Sequence, residues 1–151
     1  MLTAQDIMTR QVITVAQDMP VKELATLFLS KKIGGAPVVD TSGDLVGVVT
    51  ESDLIDQTKN VHIPTVISIL DSVLFLESPG KMDQEIKKIA GSTVGDICAR
   101  NPVTVDEDTP LSDIATIMSE KKIHTLPVLF RGTLVGVIGK ADLIRAISQG
   151  L

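Results

Sequence analysis

Residues 8 to 39 align with residues 98 to 129 at a constant offset of 90 without a gap, and 12 of those 32 positions are identical. A chain that carries one segment twice is expected to fold as two copies of one unit, so this self-similarity constrains the architecture before any other property does. The offset then falls to 89, and residues 45 to 55 match 134 to 144 at seven of eleven positions. The residue lost between the two blocks falls in a turn. The lead-ins correspond as well, since Thr3, Asp6 and Ile7 return as Thr93, Asp96 and Ile97.

Each copy reads in the same order. Ile13-Thr14-Val15 and Val103-Thr104-Val105 are short β-branched runs, the composition of brief strands. A helix follows each run. Pro20 and Pro110 suit the first helical position, where a missing N–H costs nothing, with Asp18 or Thr109 close enough to act as a start signal. Val21, Leu24, Ala25 and Phe28, matched by Leu111, Ile114, Ala115 and Met118, give each helix one apolar stripe. Lys31-Lys32 and Lys121-Lys122 close the helices; cations in a last turn complement the helix dipole, and the same pairs would also suit a phosphate. Ala36-Pro37-Val38-Val39 and Leu126-Pro127-Val128-Leu129 then begin hairpins whose second strands run from Leu45 to Val49 and from Leu134 to Ile138. The first turn contains Thr41-Ser42-Gly43-Asp44, and the second tightens around Arg131-Gly132. A last helix starts near Glu51 and near Lys140.

The unit is therefore strand, helix, strand, strand, helix, an α+β arrangement with only three strands. A sheet that small leaves one face uncovered, and two copies packed face to face bury both. A pseudo-twofold axis should relate the tandem β-α-β-β-α repeats, with two equivalent clefts along the seam. The expected boundaries are 1–58 for the first repeat, 59–90 for a helical insertion and 91–151 for the second repeat. Ile63, Val66, Ile67, Leu70, Val73 and Leu74 follow helical spacing, Pro79-Gly80 makes a break, and Met82, Ile86 and Ile89 mark a second helix. That extra apolar face either packs back on the repeats or makes a homodimer contact, and composition does not separate the two.

The bulk properties exclude several classes. With 44% apolar and 22% charged residues the chain reads as soluble and globular. A net charge of −5, no Trp, no Tyr and three Phe offer neither the basic stripe nor the stacking platforms that nucleic acid selects. The window from Val66 to Leu76 falls far short of the ~20 residues that span a bilayer, so no membrane partner is expected. MLTAQDIMTR has an early acidic residue and no apolar run, unlike a signal or transit peptide, which makes the cytoplasm the default location. The single cysteine, Cys98, aligns with Met8 and reads as a small packed side chain; it builds neither an internal disulfide nor a thiolate metal site. His62 and His124 stand apart from carboxylates at ligand spacing, so no metal site is expected. The chain lacks G-x-x-x-x-G-K-[ST], G-x-G-x-x-G and G-x-S-x-G, and no catalytic residue or enzymatic activity is expected.

The order of M-T-x-x-x-x-T-V, an amphipathic helix, an h-P-V-h strand and G-V-h-T-x-x-D-L resembles the cystathionine-β-synthase-type (CBS) domain, and the tandem copies resemble a CBS pair, or Bateman module, over nearly all of 1–58 and 91–151. The resemblance implies a regulatory binding module without chemistry of its own, whose clefts hold AMP, ADP, ATP or sometimes S-adenosylmethionine, with no catalytic cofactor. In such modules the threonine of T-x-x-D meets phosphate and the aspartate holds the ribose hydroxyls, roles that carry onto Thr50 and Asp53. The adenine would lie among Ile13, Thr14, Ala36, Pro37 and Val38. The second copy offers Val103, Thr104, Leu126, Pro127, Val128 and Asp142. Arg10, Arg100 and His124 are candidates for phosphate contact; a half-exposed structural role for His124 is the competing reading. Magnesium would enter with ATP, since the sequence shows no separate ion site. The partners implied are an adenosine-containing small molecule, a second copy of the chain and a regulated protein. Two rival readings are an interaction scaffold with vestigial clefts and a sensor of another adenosyl ligand.

The chemistry of the T-x-x-D element can also be argued directly. A helix start exposes backbone N–H groups that attract an anion, and a carboxylate, an acceptor only, suits the adjacent hydroxyls of a ribose. The same four residues also read as a capping box, in which Thr50 caps and Asp53 reaches back to the first N–H. In the second copy Gly139 replaces the threonine. A helix can still start there, but a hydroxyl that bonds a charged group contributes roughly 1.5 to 3 kcal/mol, about tenfold or more in affinity. Lys140 returns only about 0 to 1 kcal/mol as an exposed partner for phosphate. Two unequal sites are expected, with the first copy binding phosphorylated nucleotide better.

Overall fold

The computed structural model of the protein describes residues 1–56 and 91–150. The helical segments expected within the 59–90 insertion lie outside the described residues, as does His62. The first half contains a one-turn helix α1 (Ala4–Ile7), β1 (Val15–Ala16), α2 (Val21–Lys31), β2 (Gly35–Val39), β3 (Leu45–Thr50) and the helical residues 51–56, α3. The second contains α4 (Val94–Ile97), β4 (Ala99–Arg100), β5 (Val105–Asp106), α5 (Leu111–Glu120), β6 (Thr125–Phe130), β7 (Thr133–Gly139) and α6 (Lys140–Ser148). The α+β class and the repeated order follow the duplication.

Local chemistry explains most boundaries. The apolar stripes of α2 and α5 bury Val21, Leu24 and Phe28 in one case and Leu111, Ile114 and Met118 in the other. Pro20 and Pro110 occupy the N-cap, one residue before the expected first helical position, with extended backbone at φ −62° and −64°. In the first hairpin the Asp40 carboxylate accepts from the N–H groups of Ser42 at 2.9 Å and Asp44 at 3.0 Å. In the second, Arg131 and Gly132 both take positive φ, 50° and 80°, the two-residue turn whose twist matches the strands it joins. The first strands are shorter than their β-branched runs: only Val15–Ala16 and Val105–Asp106 pair, each in parallel with the strand that follows its helix.

The lead-ins change partners. Ala4 and Met8 lie in the core of the second half with Val105, Ile114, Leu126, Val128 and Ile138. Val94 lies in the core of the first with Val15, Leu24, Phe28, Val38 and Val49, and Ile97 and Cys98 pack against it. The exchange is symmetric in its hydrogen bonds. Ala4 N–H donates to the Thr109 carbonyl and Gln5 N–H to Glu107, both at 2.9 Å, while Val94 N–H donates to Met19 at 2.9 Å and Gly95 N–H to Gln17 at 2.8 Å. Strand β4 therefore adds a fourth strand to the first sheet, in the order β1-β2-β3-β4, and Thr9 makes the equivalent bridge to Val137 on the edge of the three-stranded β5-β6-β7 sheet.

Two glycines make this exchange sterically feasible. A Cβ on Gly47 would stand 2.6 Å from the Ala99 carbonyl oxygen, and one on its counterpart Gly136 would overlap the Met8 sulfur. The glycine of G-V-h-T is thus a place for the other repeat's lead-in to pass. Where β2 meets β6, Gly35 faces Thr125, its own equivalent at offset 90; a Cβ there would collide with the Thr125 hydroxyl. A residue beside a twofold axis meets its counterpart, so one copy had to be small.

Candidate functional site

The seam between the halves carries a hollow of about 740 Å3, within the roughly 300 to 1,000 Å3 of small-molecule sites. Both halves line it. Ile13, Pro37, Thr50 and Asp53 come from the first repeat, and Val103, His124, Lys140 and Asp142 from the second. These eight are the sequence-predicted residues that the fold brings together.

The others go elsewhere. Ala36, Val38, Leu126 and Val128 have no solvent exposure and fill the two cores. Pro127 is fully buried and Thr14 does not reach the hollow wall. Thr104 lines a separate shallow depression with Asp106, Thr109 and Asp113. Arg10 and Arg100 fold back on their own lead-ins, where they donate to the carbonyls of Gln5 at 3.3 Å and Gly95 at 3.1 Å. As ligands for a helix-end carbonyl they do not line the hollow.

Sequence reasoning also missed residues. Thr9, Gln11, Ala99 and Asn101 enter the wall because the exchanged lead-ins run along the seam. Lys32 and Lys122, with left-handed backbone at φ 56° and 54°, follow the ends of α2 and α5 and line the hollow as well. The lysine pairs were legible; that the second of each pair turns inward depends on the left-handed turn. Glu51 lies against Gly34, whose missing side chain leaves room for its carboxylate.

The two aspartates start equivalent helices but make different bonds. At Asp53, Oδ2 accepts from the Thr50 N–H at 2.8 Å and the Thr50 hydroxyl at 3.3 Å. This is the capping-box geometry, and Oδ1 accepts no hydrogen bond among the described residues. At Asp142, Oδ2 accepts from the Gly139 N–H at 2.8 Å, and Oδ1 accepts from both the Thr9 hydroxyl and Arg145 Nη1 at 3.0 Å. Asp142 is 7% exposed, the one buried charged residue among those described. Burial of an ionised group requires such pairing, and Asp142 has it on both oxygens.

Charge in the hollow is uneven. Lys122, Lys140 and Arg145 belong to the second half, against Lys32 and Glu51 in the first. No three His, Cys, Asp or Glu side chains gather as a metal-ligand set among the described residues. Cys98 is partly buried, and desolvation raises its thiol above the ordinary value, with Arg100 opposing. It packs beside Gly47 as a small side chain. No helix among the described residues is long and apolar enough to cross a membrane.

A family model described as CBS domain matches residues 4–60 and 94–149. Among curated proteins, the chloroplastic CBS domain-containing protein CBSX1 of Arabidopsis thaliana is 33% identical over 138 residues, which cover 85% of this chain and 56% of CBSX1. The chain thus spans little more than half of that relative. An uncharacterised protein of Methanocaldococcus jannaschii is 29% identical over 153 residues, covering 95% of this chain and 89% of its own. Among solved structures, CBSX2 of Arabidopsis thaliana in complex with AMP superposes with a TM-score of 0.75 at 29% identity, over 99% of this chain and 98% of that one.

Proposed function

The chain belongs to the CBS-domain family as a tandem pair, and from that premise we propose that it is a regulatory module whose hollow binds an adenine nucleotide, AMP, ADP or ATP. The observation that carries this reading is Asp53: a carboxylate on the wall of the hollow with Oδ2 held by Thr50 and Oδ1, which has no partner among the described residues, left to accept a ligand's donors. The adjacent hydroxyls of a ribose are such donors. Ile13 supplies apolar surface for the base, and Lys32, Lys122, Lys140 and Arg145 supply cations for phosphate. Magnesium would accompany ATP on its phosphates. The AMP complex of CBSX2 supports the same ligand class.

Because both halves line the hollow, a ligand that fits one relative orientation better shifts the population toward it. A second copy of the chain or a separate regulated protein receives that shift, and no chemistry is done on the ligand. A thermal-shift panel of AMP, ADP, ATP, S-adenosylmethionine and NADH tests the reading. A selective ligand at a hundredfold above its Kd contributes about 2.7 kcal/mol to the folded state, which raises Tm by roughly 5 to 11 °C at this chain length. No shift with any adenine nucleotide refutes it.

A further inference from the structure

Because the two repeats are copies, each half of the hollow is a control for the other. Thr9 bridges Val137 on the edge of β7, with N–H to carbonyl distances of 2.8 and 3.0 Å in the two directions. Ala99 occupies the same register on β3, opposite Val48, the equivalent of Val137. The two lead-ins therefore reach their aspartates along matching paths. One arrives with a hydroxyl and the other with a methyl group. Thr9 donates to Asp142 Oδ1 at 3.0 Å, whereas Ala99 has nothing to donate to Asp53. One turn into the helices, Arg145 donates to the same Oδ1, and its counterpart is Asp56, a carboxylate.

Resting on the nucleotide-binding reading above, we infer that the module takes one adenosine ligand per chain, at Asp53, because Thr9 of the exchanged lead-in closes the Asp142 half of the hollow. A carboxylate oxygen has two lone pairs, and both on Asp142 Oδ1 are engaged. Oδ2 already accepts from Gly139 N–H. A ribose diol at Asp142 must displace donors that the protein itself supplies. Arg145 can be displaced, since its side chain is 59% exposed and such pairs contribute little. The backbone bridge to β7 holds Thr9 beside Asp142, so a ligand there must compete with a hydroxyl that leaves only by side-chain rotation. It is the positioning residue that sets the stoichiometry, independently of the missing hydroxyl at Gly139.

Titration calorimetry of the full chain with AMP tests this. The wild type is expected to bind one AMP, Asp53→Asn to abolish that binding, and Asp142→Asn to spare it. Thr9→Ala should open a second, weaker site. Ala99→Thr is the reciprocal change at an exposed strand position that tolerates a larger side chain; by placing a hydroxyl beside Asp53 it should weaken AMP binding about tenfold or more. Two like sites in the wild type overturn the inference while leaving the nucleotide reading intact. So does a single site lost in Asp142→Asn but not in Asp53→Asn, or an Ala99→Thr variant that binds as tightly as wild type. Binding of none of AMP, ADP and ATP overturns both.

Discussion

Replacing Asp142 with alanine should cost the ligand-free chain roughly three times as much stability as the same change at Asp53. At Asp53 the loss is one helix cap, the Oδ2 contacts with Thr50, which contribute about 1 kcal/mol. Asp142 loses an equivalent cap at Gly139 together with the Thr9 hydroxyl, a bond to a buried carboxylate that contributes about 1.5 kcal/mol at the low end of its class. Arg145, more than half exposed, adds about 0.5 kcal/mol or less. The expected losses are about 1 and about 3 kcal/mol, or roughly 2 to 4 °C and 6 to 12 °C in Tm for a chain of this length. Reversible urea unfolding without ligand measures both. A double-mutant cycle of Asp142→Ala with Thr9→Val isolates the contact between lead-in and helix, and a coupling near 1 kcal/mol or above is expected for groups that touch. Equal losses at the two aspartates, or a cycle with no coupling, would refute the assignment of Asp142 to a structural latch and Asp53 to the ligand.

The exchange of lead-ins makes a second forecast. Gly47→Ala, whose methyl meets the Ala99 carbonyl at 2.6 Å, should lose stability in the range of about 1 to 3 kcal/mol that overpacking costs. Gly136→Ala should lose less, because the obstacle is the flexible end of Met8; chemical denaturation with the order reversed would contradict the packing argument. A third forecast concerns acid. The Thr3 and Thr93 N–H groups, followed by their hydroxyls, hold the carboxyls of Asp6 and Asp96 below the ordinary aspartate value of 3.8. Depressed folded-state pKa values mean that this stabilisation is present above 3.8 and disappears as pH falls through the lower folded values. The Asp6→Asn/Asp96→Asn variant should therefore melt earlier near neutrality and show a flatter decline through that acid window, and melting curves parallel to wild type at every pH would count against it.

The sequence made the repeated topology legible because the duplication aligns element by element, and the tight hairpin at Arg131-Gly132 follows from local turn chemistry. The capping reading of Thr50 to Asp53 and its nucleotide-site reading are compatible: one oxygen serves the cap and the other faces no described partner. Which strand residues face the hollow was not legible. In β2 and β6 three consecutive residues are buried, Ala36 to Val38 and Leu126 to Val128, since both faces of these central strands are covered and the period-two alternation disappears. The lead-in exchange was equally hidden, because a one-turn helix carries no periodicity that says which sheet it joins. A trace existed in the pairing of Gly47 with Cys98 and of Gly136 with Met8, but only packing gives that pattern its meaning.

Exchange of lead-ins also decides where divergence between the repeats acts. In two self-contained units a change in the first copy would alter the first site; here Thr9 belongs to the first copy and acts on the aspartate of the second. The same crossing bears on how a bound ligand would be felt. The wall beside Asp53 includes Ala99 on β4, which pairs with β3 of the first half, and four residues, Asn101 to Thr104, connect β4 to β5 of the second. A ligand seated at Asp53 in the proposed manner would press on the first sheet and on the covalent path into the second half together. Any preference it has for one spacing of Ala99 and Asp53 then becomes a preference for one orientation of the halves, which is the differential affinity that a population shift requires. Asp142, tied to Thr9 and Arg145, would serve as the fixed side against which that movement occurs.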